Sequence, residues 1–268
     1  MATILVTGGT GALGRDVVRR LLAAGPDVRV LSRRPRRDSD PAEVSWATGD
    51  LRTGTGLSEA VRDAAVIVHC ASDPRRPRGD LAAARNLIGA AKAAGSPHLV
   101  YVSIVGVDRV PFGYYRIKLE VERLTEESGL PWTVLRATQF HDLLCYLFQM
   151  AAKLPVLMVP AGVSDQPVDT RDVAARLTEL ALGDPAGRAA DFGGPQVRPM
   201  AELANAWLTA TGLRRRLLPV RLPGKVFRGY AAGGHLTPAH ADGRITFEDF
   251  LAEYVSRSAR SAPYGALH

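Results

Sequence analysis

The chain has 268 residues, 46% hydrophobic and 23% charged, which excludes intrinsic disorder and allows roughly three quarters of the unfolded surface to be buried. Its net charge of +7 comes almost wholly from arginine, lysine occurring only at 92, 118, 153 and 225. The clusters Arg33-Arg34, Arg36-Arg37, Arg75-Arg76 and Arg214-Arg215-Arg216 lie apart without interleaved aromatics, so no nucleic-acid partner is expected.

The first apolar run, Thr3–Val6, goes straight into glycines and reads as a buried strand, not a signal peptide, which makes a cytoplasmic location the expectation. No apolar run reaches the roughly 18 residues of a membrane-spanning helix, since 143–163 is broken by Gln149, Lys153 and Pro155, and no membrane partner is expected. Cys70 and Cys145 are too few for a disulfide framework or a complete metal site, in keeping with a reducing compartment and no metal.

Between that strand and the first helical pattern lie Thr7, Gly8, Gly9, Thr10, Gly11, Ala12, Leu13 and Gly14. Gly9, Gly11 and Gly14 have the spacing of the dinucleotide fingerprint: one glycine for a tight turn, one for amides to approach a pyrophosphate, one for close helix packing. Leu13, Val17, Val18, Leu21 and Leu22 then recur at helical spacing up to Gly25-Pro26. The next strand, Val28–Leu31, runs into Ser32, Arg33 and Arg34, where an NAD-specific enzyme would place a carboxylate. A hydroxyl and two guanidiniums suit a 2′-phosphate, so the cofactor expected is NADP, with NADPH favoured over NADH.

Further short apolar strands follow at Val44–Trp46, Val66–His69, Leu99–Val102 and Thr133–Leu135, alternating with helices over 80–94 and 114–128 that end at Gly95 and Gly129. The fold class is therefore α/β, with a doubly wound, mostly parallel sheet buried on both faces. Residues 1–140 form the nucleotide-binding core, while 141–268 complete it and add a small C-terminal substrate lobe. In this second part an apolar stretch spans 142–159, a helix is expected at about 170–182, and Thr246–Asp249 opens a helix carrying Phe250, Leu251 and Tyr254, with a polar tail after Ser256.

With the loop in view, the chain resembles the NmrA-like atypical short-chain dehydrogenase/reductases, a Rossmann-fold NAD(P)-binding family, over nearly its whole length. The resemblance rests on Thr7–Gly14, Gly49-Asp50-Leu51, 89–95, 102–108, Tyr114-Tyr115-Arg116-Ile117-Lys118, 135–140, 172–174 and 193–195. It implies that Asp50, beside Leu51, contacts the adenine, that Ala71 and Ser72 border the ribose and pyrophosphate, and that Ala137, Thr138 and Phe140 flank the nicotinamide. It also implies that Tyr114 protonates a carbonyl oxygen while Lys118 holds the nicotinamide ribose.

Four-residue spacing puts Tyr114 and Lys118 on one side of a helix, where a lysine ammonium would lower a phenol pKa from about 10. Ser103 stands near the family's catalytic serine, although the usual hydroxyl position falls slightly later, at Ile104 and Val105. His141 reads either as a substrate-binding group at the mouth of a pocket or as the start of the next helix. His69 and Cys70 read as core residues. The function this implies is hydride transfer from NADPH to a small or medium-sized carbonyl or conjugated substrate. A non-catalytic NADP(H)-sensing regulator and a redox-neutral epimerase or isomerase stand as alternatives. A monomer or homodimer is expected.

Overall fold

The computed structural model describes residues 2–38, 40–74 and 76–261, with side chains as far as Ser256. Arg75 of the arginine clusters, and residues 262–268 of the expected polar tail, lie outside the described residues. In chain order the elements are β1 (Thr3–Thr7), α1 (Ala12–Ala24), β2 (Asp27–Ser32), β3 (Ser45–Thr48), α2 (Leu57–Ala60), β4 (Ala64–His69), α3 (Arg78–Ala93), β5 (His98–Ile104), α4 (Gly113–Glu126) and β6 (Trp132–Ala137). There follow α5 (His141–Ala151), β7 (Val156–Pro160), β8 (Ser164–Asp165), α6 (Thr170–Leu182), β9 (Gly187–Arg188), β10 (Arg198–Pro199), α7 (Met200–Thr211), β11 (Arg216–Val220), α8 (Lys225–Ala231) and α9 (Phe247–Ser261). By internal contacts the chain divides into two units, Met1–Ala137 with Thr170–Asp191, and Thr138–Asp169 with Phe192–His268.

The first unit is the doubly wound α/β structure. Its seven strands pair in parallel in the order β3-β2-β1-β4-β5-β6-β9, and Leu5, Val6, Ile67, Val100 and Leu135 are buried along them, as strands covered on both faces require. Strand order reverses between β1 and β4, which opens a crevice at the carboxyl ends of the strands. Helix α1 ends on Gly25 in the left-handed region, φ +99, whose N–H caps the carbonyls of Leu21 and Leu22. Helix α6 packs on α1 and is tied to it by Thr170 Oγ1, which donates to Asp16 Oδ2 at 2.8 Å.

Helix α4 is pinned to β6 by charge. Arg136 donates through Nε to Glu122 Oε1 (2.8 Å) and through Nη2 to Oε2 (2.6 Å), while Nη1 reaches Asp108 Oδ2 at 2.9 Å. Burial alone would lower the Arg136 pKa, but the bonds to Glu122 and Asp108 outweigh it and drive it upward. The planar fork meeting two carboxylate oxygens fixes where α4 lies on the sheet, and so where its first turns, which carry Tyr114 and Lys118, are held.

The second unit has its own core, in which Leu144 and Phe148 of α5, Leu157 of β7, Trp207 of α7 and Phe250 of α9 pack together. Strands β7 and β11 pair in parallel, and β8 pairs antiparallel with β10. The apolar stretch expected over 142–159 is in fact a helix and a strand, parted by 152–155, where Pro155 leaves no amide to donate. Helix α9 continues past Ser256 to Ser261.

Asp165 of β8 is buried and accepts a hydrogen bond from the Gln166 backbone N–H at 2.7 Å. Burial pushes its carboxyl up to about 7, against that hydrogen bond. A carboxyl with a higher pKa folded than unfolded holds its proton longer in the native state. Its contribution to stability is therefore complete below the ordinary value of 3.8 and is lost as pH rises towards about 7. Thermal melts across that window should show Tm falling by several degrees, and Asp165→Asn should flatten the dependence; an unaltered slope in the variant would assign it to other groups.

Candidate active site

The crevice of the first unit is a cleft of about 480 Å³ lined by the glycine loop and by the segments that follow β2, β3 and β4. At its floor Gly8 sits in the left-handed region, φ +70, and a Cβ there would meet the Ala71 nitrogen at 2.7 Å. The positive φ thus falls on Gly8, not on Gly9 as the fingerprint spacing suggests. A Cβ on Gly14 would strike the carbonyl oxygen of Gly8, so loop and helix approach as closely as backbone allows. Gly11 starts α1 with no side-chain cap, leaving first-turn N–H groups and the helix dipole available to an anion. This cradle, which any side chain would fill, fits a dinucleotide pyrophosphate.

Of the residues proposed from sequence, Gly8, Thr10, Gly11, Ser32, Arg33, Arg34, Asp50, Leu51, Ala71 and Ser72 all line the cleft. Arg52, Asp73, Gly79 and Asp80 also line it and were not anticipated. Asp50 accepts the Arg52 backbone N–H at 2.8 Å, and Asn86 Nδ2 donates to the carbonyls of Leu51 (2.9 Å) and Arg52 (3.1 Å), fixing this loop to α3.

The two arginines after β2 differ. Arg34 donates to both oxygens of Asp40, at 2.6 and 2.7 Å, and its guanidinium stands 4.7 Å from the Trp46 ring centre. The bond to Arg34, with that from the Arg37 backbone, holds the Asp40 carboxyl at about 2. Arg33 is exposed on the cleft wall and has no ion pair among the described residues. Ser32 Oγ accepts the Arg34 backbone N–H at 3.2 Å.

Tyr114 does not itself line the cleft, but its hydroxyl lies 2.6 Å from Ser72 Oγ of the cleft wall, which donates to Asp80 Oδ2 at 2.6 Å; Asp80 Oδ1 accepts the Asp73 backbone N–H at 2.9 Å. Burial pushes the Tyr114 phenol up to about 12, Asp80 and Asp73 adding to the shift and the Ser72 bond opposing it. The expected lowering of this pKa by Lys118 is therefore corrected. The lysine is 4% exposed, donates from Nζ to the Val102 carbonyl at 2.8 Å and stacks 4.3 Å over the Tyr101 ring. Burial brings its own pKa down to about 8, against the pull of Asp80 and Glu122.

Ser103 is 3% exposed, with no hydrogen-bond partner for its hydroxyl among the described residues. His69 is a core residue, hydrogen-bonded to Thr7 Oγ1 at 2.7 Å and kept neutral by burial and by Lys118, with a pKa of about 3. Cys70, read as core, is partly exposed and borders the cleft. Ala12 and Leu13 begin α1, and Ala137 is buried at the end of β6. Thr138 and Phe140 belong to the second unit, where Thr138 Oγ1 accepts the Gly194 N–H at 3.2 Å. His141 is also there, opening α5 and fully buried against Phe247 and Phe250, so of its two readings the start of a helix holds and the mouth of a pocket does not.

A family model described as NAD(P)H-binding matches residues 8–182. The chain is 36% identical over 203 residues to a (4-alkanoyl-5-oxo-2,5-dihydrofuran-3-yl)methyl phosphate reductase from Streptomyces griseus, covering 72% of this chain and 68% of that protein. It is 31% identical over 228 residues to an NAD(P)H azoreductase from Xenophilus azovorans, covering 82% and 77%. Its fold is similar to that of an Escherichia coli NADPH-dependent quinone oxidoreductase complexed with NADPH, with a TM-score of 0.79, 22% identity, and coverage of 96% of this chain and 99% of the other.

Proposed function

The chain belongs to the NAD(P)H-binding family, and on that premise we propose that it is an NADPH-dependent oxidoreductase reducing a small or medium-sized carbonyl or conjugated compound. The observation that carries this reading is the Tyr114 phenol, joined through Ser72 to the wall of the cleft whose glycine floor fits the dinucleotide. When bound, the cofactor supplies the hydride. Tyr114 supplies the proton to the substrate oxygen, and Lys118 orients the ribose side of the site. The Streptomyces griseus relative supports the substrate class, because the ring in its name bears a carbon–carbon double bond conjugated to carbonyls.

Preference for NADPH is assigned to Arg33, which has no ion pair among the described residues and can meet a 2′-phosphate with charged hydrogen bonds. Arg34, engaged by Asp40 and Trp46, forms the wall behind it.

Calorimetry with NADPH and NADH, followed by NADPH oxidation against a panel of quinones, enones and aldehydes, tests both parts. Wild type should bind NADPH the tighter, and Arg33→Ala should lose about tenfold or more of that affinity with NADH nearly unaffected. Equal affinities in the wild type would remove the preference. A second reading, an NADP(H)-sensing regulator, is favoured by the burial of the Ser103 hydroxyl. Tight cofactor binding with no oxidation across the panel would select it.

A further inference from the structure

Ser72 has one hydroxyl proton and two neighbours, Asp80 Oδ2 and the Tyr114 oxygen, each at 2.6 Å. An ionised carboxylate only accepts hydrogen bonds, so the Ser72 proton goes to Asp80, and the phenol must then be the donor to Ser72. The carboxylate at the end of the chain therefore fixes its direction, from Tyr114 to Ser72 to Asp80. Asp80 is fixed in turn: it lies in the first turn of α3, is 8% exposed, and accepts the Asp73 N–H on its second oxygen. A negative charge in that turn is favoured by the helix dipole.

We propose that Asp80 is a positioning residue that, acting through Ser72, keeps Tyr114 as a neutral phenol and so biases the site towards reduction. This rests on the reading of Tyr114 as proton donor. In reduction the hydride and its electron pair pass from the reduced nicotinamide to the substrate carbon. The Tyr114 O–H bond breaks, its proton goes to the substrate oxygen, and the phenolate is reprotonated by water entering the cleft. Oxidation of an alcohol needs the phenolate at the outset, and the Ser72–Asp80 arm offers it no hydrogen bond while Asp80 keeps the only Ser72 proton.

The groups around the phenol agree with this. Asp73 and Asp80 both oppose its ionisation, the Ser72 bond would favour it only if Ser72 donated to the phenol oxygen, Tyr101 of β5 would share rather than relieve a negative charge, and the Lys118 ammonium on its own helix is committed to the Val102 carbonyl.

Asp80→Asn tests the proposal, because the amide can donate to Ser72 and turn its proton towards Tyr114, reversing the chain. The Tyr114 ionisation is read by ultraviolet difference titration of each protein against the same protein carrying Tyr114→Phe, with no need of turnover. The midpoint should fall by about one pH unit or more in Asp80→Asn, and the alkaline limb of kcat should move with it. Asp80→Ser, which keeps a polar group at the helix start, should give the same shift and serves if the asparagine variant does not fold. An unchanged midpoint in either folded variant overturns the proposal. An inactive wild type with the shift intact overturns the reductase reading alone.

Discussion

Tyr114→Phe is expected to lower turnover by a hundredfold or more while leaving NADPH affinity nearly intact. General acids of this kind contribute ~10²–10⁴ to rate, and phenylalanine removes the only proton the side chain can give. The ring itself is retained, so the partly buried start of α4 keeps its packing, and Ser72 keeps its bond to Asp80. The dinucleotide cradle is built from the backbone of 8–14, which the substitution does not touch. Steady-state NADPH oxidation gives the first quantity and calorimetry the second. Turnover equal to wild type would take the proton-donor role from Tyr114, whereas a parallel loss of affinity would make the residue a cofactor ligand instead.

Arg136→Met is expected to cost roughly 3–5 kcal/mol of folding stability, the range for stripping one partner from a buried ion pair. The methionine fills much of the arginine stem's space, so the loss reports charge more than volume. What it leaves is Glu122, 1% exposed, with Arg188 at 3.7 Å as its nearest remaining cation among the described ion pairs. Denaturant unfolding measures the loss. Adding Glu122→Gln to the same chain should recover more than half of it, since the uncompensated charge is then gone. If the single variant loses less than about 1 kcal/mol, the pair behaves like a surface bridge and cannot be what fixes α4 on the sheet.

The first unit was legible because parallel strands buried on both faces leave unbroken apolar runs, and because Gly25, Gly95 and Gly129 end the helices between them, each at positive φ. Helix α2 was missed because its single turn, Leu57–Ala60, is too short to show a period. Helix α7 was hidden differently: Leu203, Ala204, Trp207 and Leu208 do have helical spacing, but Pro199 and Gly212 close around them and make the stretch resemble loop. In the site, local spacing and residue chemistry brought out the glycine loop and Ser32 to Arg34, whereas Asp50, Leu51, Ala71 and Ser72 came only from the family resemblance. Pairings made by irregular backbone escaped both. Asp40 meets Arg34 from six residues further along the chain, a spacing that no regular element predicts, and Asp80 looks like an ordinary acidic helix start until Ser72 is seen beside it.

The chain passes from the first unit to the second at residue 138, returns at 170 and leaves again at 192. The return supplies α6, which covers α1, and β9, the last strand of the sheet. During synthesis, then, the nucleotide-binding half emerges from the ribosome lacking one edge strand and one covering helix, and it stays so until Thr138–Asp169 and then α6 and β9 themselves have been translated. A gene fragment stopping at the end of β6 would encode a sheet with the flank of α1 laid bare to solvent.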